Sequence, residues 1–253
     1  MKLPGFIPAE LRELAAFVPA SGWDAIEWRP LLAAMRTMSV QMVTGRGVAR
    51  LRRVTGNAID SVSLVRTLDQ GLPLAGISSA QIRGKLGDAL LEFYFSQWLL
   101  DEGLFLDFRP SRFAAQGDAL LYQPNGLWIR LRPEFRTGMV ALYRSFYSAD
   151  ETAFDSALQQ MGMLRPDLGD AARAELRTLL LEHFGMDQRA QYFRIEAFRR
   201  SFDELFRFFI DHDYRLHSDF VFVGLYLITL YLALEALGEP HDTRAICSRV
   251  MMR

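Results

Sequence analysis

The chain has 253 residues with 29 basic and 30 acidic side chains, a net charge of −1, and a hydrophobic share of 50%. That length and composition suit one globular domain or at most two, and they exclude a disordered or fibrous chain. The near-neutral balance gives no reason to expect a nucleic-acid partner. The single cysteine, Cys247, excludes a disulfide framework or a cysteine metal site within one chain.

Met1, Lys2, Leu3, Pro4 and Gly5 open the chain without the apolar core of a signal peptide, so the expected location is cytoplasmic. Pro4, Gly5, Pro8 and Pro19 mark the first 25 residues as an arm. A basic stretch follows. Between Arg29 and Arg66 lie Arg36, Arg46, Arg50, Arg52 and Arg53, with Asp60 as the only acid. Arg46, Arg50 and Arg53 stand at i, i+4 and i+7, which predicts one face of a helix with Val48 and Leu51 turned inward. Such a face suits anionic lipid head groups or an acidic partner, with a peripheral membrane contact as one form of docking. It equally suits pairing with acids of the same chain, such as Asp60 or Glu92, or a solvated surface. Gly45-Arg46-Gly47 has the start of a dinucleotide loop, but position 50 is Arg, and a lone G-x-G is weak evidence.

Ile82, Leu86, Leu90 and Phe93 recur at helical spacing. Two short apolar stretches, Ala119–Tyr122 and Leu127–Leu131, flank Gln123-Pro124-Asn125-Gly126, whose turn chemistry predicts a small β-hairpin. Phe135, Met139, Leu142 and Phe146 predict a further helix. Ser148 and Glu151 have capping-box spacing ahead of a helix carrying Phe154, Leu158 and Met161, with Gly162 as its stop. Leu176, Leu179 and Leu180 predict a helix ending near Gly185. Phe198, Phe202, Leu205, Phe206 and Phe209 form another stripe. The run Phe220 to Leu234 carries no charge; at about 15 residues it is short of the roughly 20 that cross a bilayer, and it predicts a core helix. The fold class is therefore mainly α, a helical bundle with a small β-hairpin.

Chemistry-bearing motifs are sparse. His212 and His217 are five apart, off the spacing at which two imidazoles on a helix share a metal, and Glu182-His183 has no second histidine for a zinc-protease pattern. His241 stands alone. No Walker loop or nucleophile elbow is present.

Taken in order, five stretches between Val54 and Pro240 resemble the second half of the UbiB/AarF family of atypical protein-kinase-like proteins. They are Leu99-Leu100-Asp101-Glu102-Gly103-Leu104-Phe105, then Leu120-Leu121 with Gly126, then Arg130-Leu131-Arg132-Pro133-Glu134-Phe135-Arg136. Ala149-Asp150 through Met161-Gly162-Met163-Leu164 and Asp213-Tyr214-Arg215-Leu216-His217-Ser218-Asp219-Phe220-Val221 complete the set. The resemblance implies a kinase-like C-lobe over residues 54–253, preceded by an N-terminal helical arm over 1–53 that is too short for a complete N-lobe.

The departures from the family pattern bear on function. Placed on Gly103 without a gap, the family's catalytic His, Asp and metal-binding Asn become Leu106, Phe108 and Phe113. In the D-F-G-like place, the metal-binding Asp becomes Pro124 and the Phe becomes Asn125. Phosphoryl transfer needs carboxylates to hold Mg²⁺ and orient the hydroxyl, and Leu, Phe and Pro ligate no hard cation. Asp107, one residue from the expected acid, and Asp118 are the weak catalytic candidates left. No lysine follows Lys2 in the first 50 residues, so the phosphate-binding lysine of an N-lobe is also missing. The implied function is a non-catalytic, pseudokinase-like binding or regulatory protein with a protein partner and no cofactor. Since the family is linked to isoprenoid quinone and membrane-lipid metabolism, that is the implied setting. Two alternatives stay open. One is a split kinase or ATPase completed by a partner chain. The other is a helical module that binds an apolar lipid or isoprenoid, to which the 19 phenylalanines would be suited.

Overall fold

The computed structural model describes residues 9, 12, 13, 26–55, 60–100, 103–184 and 190–251. The architecture is mainly helical. Helices α1 (Trp28–Val43) and α2 (Arg46–Thr55) precede strands β1 (Ser63–Leu64) and β2 (Leu72–Pro73) and helix α3 (Ala80–Leu99). Strands β3 (Leu104–Phe105), β4 (Phe113–Gln116), β5 (Ala119–Tyr122) and β6 (Trp128–Ile129) follow. The chain then runs through α4 (Pro133–Ser148), α5 (Glu151–Met161), α6 (Asp170–Phe184), α7 (Ile195–Asp211), α8 (Ser218–Leu237) and α9 (Thr243–Met251).

The charge-free run forms the centre of α8, and the helix is apolar on every side because every side is packed. His217 caps its start, Nδ1 accepting from the Asp219 amide at 3.2 Å, and Gly238 ends it with φ 70°. Helix α3 lies along α8, with the rings of Tyr94 and Tyr226 stacked at 4.7 Å. Helix α7 lays the predicted phenylalanine stripe against it. Gly224 makes that contact possible, since a Cβ there would stand 2.1 Å from the Phe202 ring. Among the described residues α8 alone is long and apolar enough to cross a membrane, and 72% of its most apolar window is buried inside the protein.

Helix α1 is not set apart from this core. Leu31, Met35 and Met38 are at most 1% exposed and belong to the same apolar cluster as α8 and α9. The Glu27 amide donates to the Leu216 carbonyl at 3.1 Å, which ties the start of α1 to the approach to α8. Of the 1–53 arm, residues 1–8, 10, 11 and 14–25 lie outside the described residues, as do Asp101, Glu102 and Gly185.

Two local expectations are corrected. Ala119–Tyr122 does not form a hairpin with Leu127–Leu131. It pairs antiparallel with β4 across a turn at Gly117, φ 63°, in a four-stranded sheet of order β1-β5-β4-β2. Strand β6 pairs instead with β3, Leu104 opposite Ile129 and Phe105 opposite Trp128, so Pro124-Asn125-Gly126 carries the chain from one sheet to the other. The physical reason is that the Asn125 side chain donates inward to Asp107 while its Oδ1 accepts from the Leu127 amide at 3.1 Å, an Asx turn inside the crossing and not the turn of a hairpin. The capping box is also displaced. Ser148 is still in α4, Ala149 takes the left-handed conformation, and Asp150 caps α5 by accepting from the Ala153 amide at 3.0 Å. Gly162 stops α5 as predicted, with φ 76°.

Cys247 is 2% exposed in α9, and burial pushes its thiol up to about 12. Thiolate is the reacting species, so a disulfide reagent at about pH 8 is expected to label the unfolded chain and spare the native one. Rapid stoichiometric labelling of the native protein would show that α9 is not packed as described.

Candidate functional site

Strand β3 leads directly into the positions where the resemblance places catalysis. Gln97, fully buried on α3, accepts from the Phe105 amide at 2.7 Å and fixes the strand's approach. The Leu106 amide donates to Leu127 O at 3.0 Å, and its carbonyl accepts from the Thr229 hydroxyl at 2.9 Å. Beyond that point the side chains turn into the core. Leu106 and Phe108 are 0% exposed and Phe113 is 1% exposed. Phe108 stacks on Phe93 at 4.9 Å and meets Phe113, Tyr122 and Tyr226 edge-on at 5.0–5.9 Å. An aromatic cluster thus fills the space around these three side chains. Pro124 is half-buried in the crossing between β5 and β6.

Asp107 faces away from this cluster and is also 0% exposed. Its Oδ1 accepts from the Arg109 amide at 3.2 Å and Arg109 Nε at 2.8 Å. Its Oδ2 accepts from Arg109 Nη2 at 2.8 Å, Arg112 Nε at 3.1 Å and Asn125 Nδ2 at 2.6 Å. Five donors occupy the roughly four lone-pair positions of a carboxylate. Hydrogen bonding to Asp107 raises the Arg109 guanidinium above its ordinary range, against the effect of burial. A general base needs a lone pair within reach of its substrate proton. Asp107 has none to offer, so it clamps the β3–β4 segment to the β5–β6 crossing.

Asp118 lies at the other end of β5, in the exposed β4–β5 turn, where it accepts from Lys85 Nζ at 3.1 Å. That contact holds its carboxyl below the usual range. Since β5 spans four residues, about 13 Å at strand rise, between Asp118 and the Tyr122 hydroxyl that donates to the Asp107 carbonyl, the two acids do not converge. Among the described residues no group of three His, Cys, Asp or Glu side chains is placed to hold a metal ion.

The basic residues do converge. Arg46, Arg50 and Arg53 share one face of α2, with Leu51 fully buried and Val48 half-buried behind them. Arg36 of α1 faces them across an open groove of about 740 Å³ whose floor includes Trp128 of β6. The Arg50 guanidinium lies over the Trp128 ring, 4.2 Å from its centroid. Close approach of α2 to the β5–β6 crossing sets this geometry. A Cβ on Gly47 would stand 2.1 Å from the Gly126 carbonyl oxygen, so only glycine fits there. The acids expected to neutralise the basic face do not line the groove: Glu92 pairs with Arg249, and Asp60 is not among the lining residues. Sequence spacing found the α2 face and counted Arg36 in the basic stretch without placing it opposite that face, and it missed Trp128, which comes from β6. It also missed Arg109, Arg112 and Asn125 around Asp107. The D-x-R-x-x-R spacing of Asp107, Arg109 and Arg112 was the signal available for the first two.

An apolar pocket between α3, α4 and α8, lined by Tyr94, Phe95, Tyr143, Leu227 and Tyr231, holds about 30 Å³. That is room for about one water molecule, not for an isoprenoid chain. Among the histidines with described side chains, His241 Nδ1 contacts the Asp88 carboxylate at 2.8 Å, and His217 caps α8. His212 ends α7, its backbone amide donating to the Phe208 carbonyl.

No protein-family model and no curated protein matches the chain.

Proposed function

We propose that this chain is a non-catalytic, kinase-like protein that acts by binding a partner, in the setting of isoprenoid quinone or membrane-lipid metabolism that the UbiB/AarF resemblance implies. The observation that carries the reading is the state of the motif positions: Leu106, Phe108 and Phe113 are sealed in an aromatic core, and the acid beside them, Asp107, has no free acceptor. The order of elements supports the kinase-like part. Short strands and a hairpin lie between Leu104 and Ile129, and two helices, α4 and α5, follow them, although the strands pair differently from the hairpin expected at residues 123–126. Contact between the two motif segments, through Asn125 and Asp107, supports it further. So does the ion pair of Arg132 Nε with Asp219 at 2.8 Å, which joins two of the five resembling stretches.

The split-kinase reading has less support, because a partner supplying an N-lobe would still meet a closed cluster and an occupied carboxylate. A protein partner is the interaction this reading expects, with peripheral membrane contact as a second. The test is a thermal unfolding series with millimolar Mg²⁺-ATP. A ligand that binds the native state raises its melting temperature by mass action, so the expected result is no shift. A rise of several degrees that depends on Mg²⁺ would overturn the proposal.

A further inference from the structure

The groove between α1 and α2 carries chemistry that the kinase-like reading does not use. Four guanidinium groups, Arg36, Arg46, Arg50 and Arg53, line one concave surface, and no carboxylate stands among the described residues that line it. Among the described residues Arg36, Arg46 and Arg53 take part in no ion pair. Like charges gathered this closely repel one another, and the surface position of three of them lowers the repulsion only by screening. Arg50 registers it: burial, Arg130 and Arg53 all lower its pKa. A folded chain in which Arg36, Arg46 and Arg53 stand close together with no ion pair among the described residues gains stability when an anion binds them.

We infer that this groove is a binding site for a phosphate ester. A guanidinium presents a planar fork of donors that matches phosphate oxygens two at a time, and arginine is the residue suited to that geometry. The groove's volume of about 740 Å³ is far more than one phosphate fills and lies within the range of small-molecule sites. Arg46 and Arg53 are seven residues apart on α2, about 10 Å along the axis, so a ligand with charge at more than one position engages both ends. The rest of the lining suits an organic portion. Trp128 offers part of a ring face beside Arg50, and Val40, 50% exposed on α1, lies at the rim with Val43 beyond it at 84%. Gln41 adds a buried amide oxygen with no hydrogen-bond partner. The same chemistry fits a soluble phosphate ester or the head group of an anionic phospholipid, with Val40 and Val43 touching the acyl region in the second case.

Arg50 packs on Trp128, so its removal risks the fold. The informative variant is therefore Arg36→Gln/Arg46→Gln/Arg53→Gln, which changes the three exposed groups and, by removing like charges, is expected to melt at or slightly above the parent in the absence of ligand. The full chain and this variant are titrated with inorganic pyrophosphate, by calorimetry, at low salt and with EDTA present so that no Mg²⁺ site contributes. In parallel, both are sedimented with phosphatidylcholine vesicles with and without phosphatidic acid. The parent is expected to bind one of the probes, with affinity falling as salt rises, and the variant to bind it at least about tenfold more weakly. Pyrophosphate binding lost in the variant assigns a soluble ester, and vesicle binding lost in the variant assigns a lipid head group. Parent binding to neither probe, or equal binding by parent and variant, overturns the site. Because EDTA removes Mg²⁺, failure here leaves the nucleotide test of the kinase-like reading untouched. A second variant, Arg36→Lys/Arg46→Lys/Arg53→Lys, keeps the charge and removes the fork. It is expected to bind more weakly than the parent, and parent-like affinity would overturn recognition by the guanidinium geometry.

Discussion

Replacing Leu225 with aspartate is expected to leave the chain unable to reach its native state. Leu225 is 0% exposed near the middle of α8, among residues from Phe220 to Leu230 that are nearly all buried. A carboxylate there has no cation within its helix to pair with, and an unpaired buried charge costs several kcal/mol even after it takes up a proton. That loss is a large part of the roughly 5–15 kcal/mol that holds a typical domain folded. The expected readout is loss of near-ultraviolet circular dichroism and of the cooperative melting transition, with rapid proteolysis. Leu227, the natural choice from the centre of the run, is half-buried, so Leu227→Asp is expected to be milder. Ile228, also 0% exposed, is expected to behave like Leu225. A Leu225→Asp protein that keeps its fold and merely leaves the membrane fraction would show that α8 faces lipid and not this core.

The second large effect is expected at Asp107. Asp107→Ala removes one carboxylate that accepts five hydrogen bonds and strands the donors of Arg109, Arg112 and Asn125. Removing one partner of a buried ion pair typically destabilises by about 3–5 kcal/mol. Arg109 and Arg112 keep 15% and 22% of their side-chain surface exposed, so water relieves part of the loss, and about 3 kcal/mol is expected. For a domain of this size that is a fall of on the order of 10 °C in melting temperature. Asp107→Asn keeps the shape and one acceptor oxygen and should fall between the two. The role of Asp107 as a clamp would be wrong if Asp107→Ala melted like the parent. The same two variants also bear on catalysis. An acid used as a base would lose activity in Asp107→Asn with little change in stability, whereas a clamp loses stability in proportion to the donors left unmatched.

The helices were determined locally, and the sequence alone shows them. A stripe such as Phe198, Phe202, Leu205, Phe206 and Phe209 has the same spacing whatever it packs against, because helical period is set by hydrogen bonds four residues apart. Gly162 as a stop is equally local: the left-handed turn at φ 76° strains any residue with a Cβ. The basic face of α2 belongs with these, since Arg46, Arg50 and Arg53 needed only helical spacing. Partner choice was decided by tertiary structure. Strand β5 is four residues long and apolar, and nothing within it says whether β4 or β6 lies beside it. Asn125 was read as turn chemistry, yet its amide reaches a carboxylate 18 residues back, and that contact redirects the chain into a second sheet. Asp107 looked like a displaced catalytic acid while only its neighbours in sequence were known. Its burial and its three donor side chains, brought from two, five and 18 residues away, make it a clamp. The groove required two helices and a strand to meet: Arg36 and Trp128 join the α2 arginines because Gly47 lets α2 rest on the Gly126 carbonyl. Periodicity within an element is paid for by the backbone of that element, whereas a site made by several elements exists only when the whole core has closed.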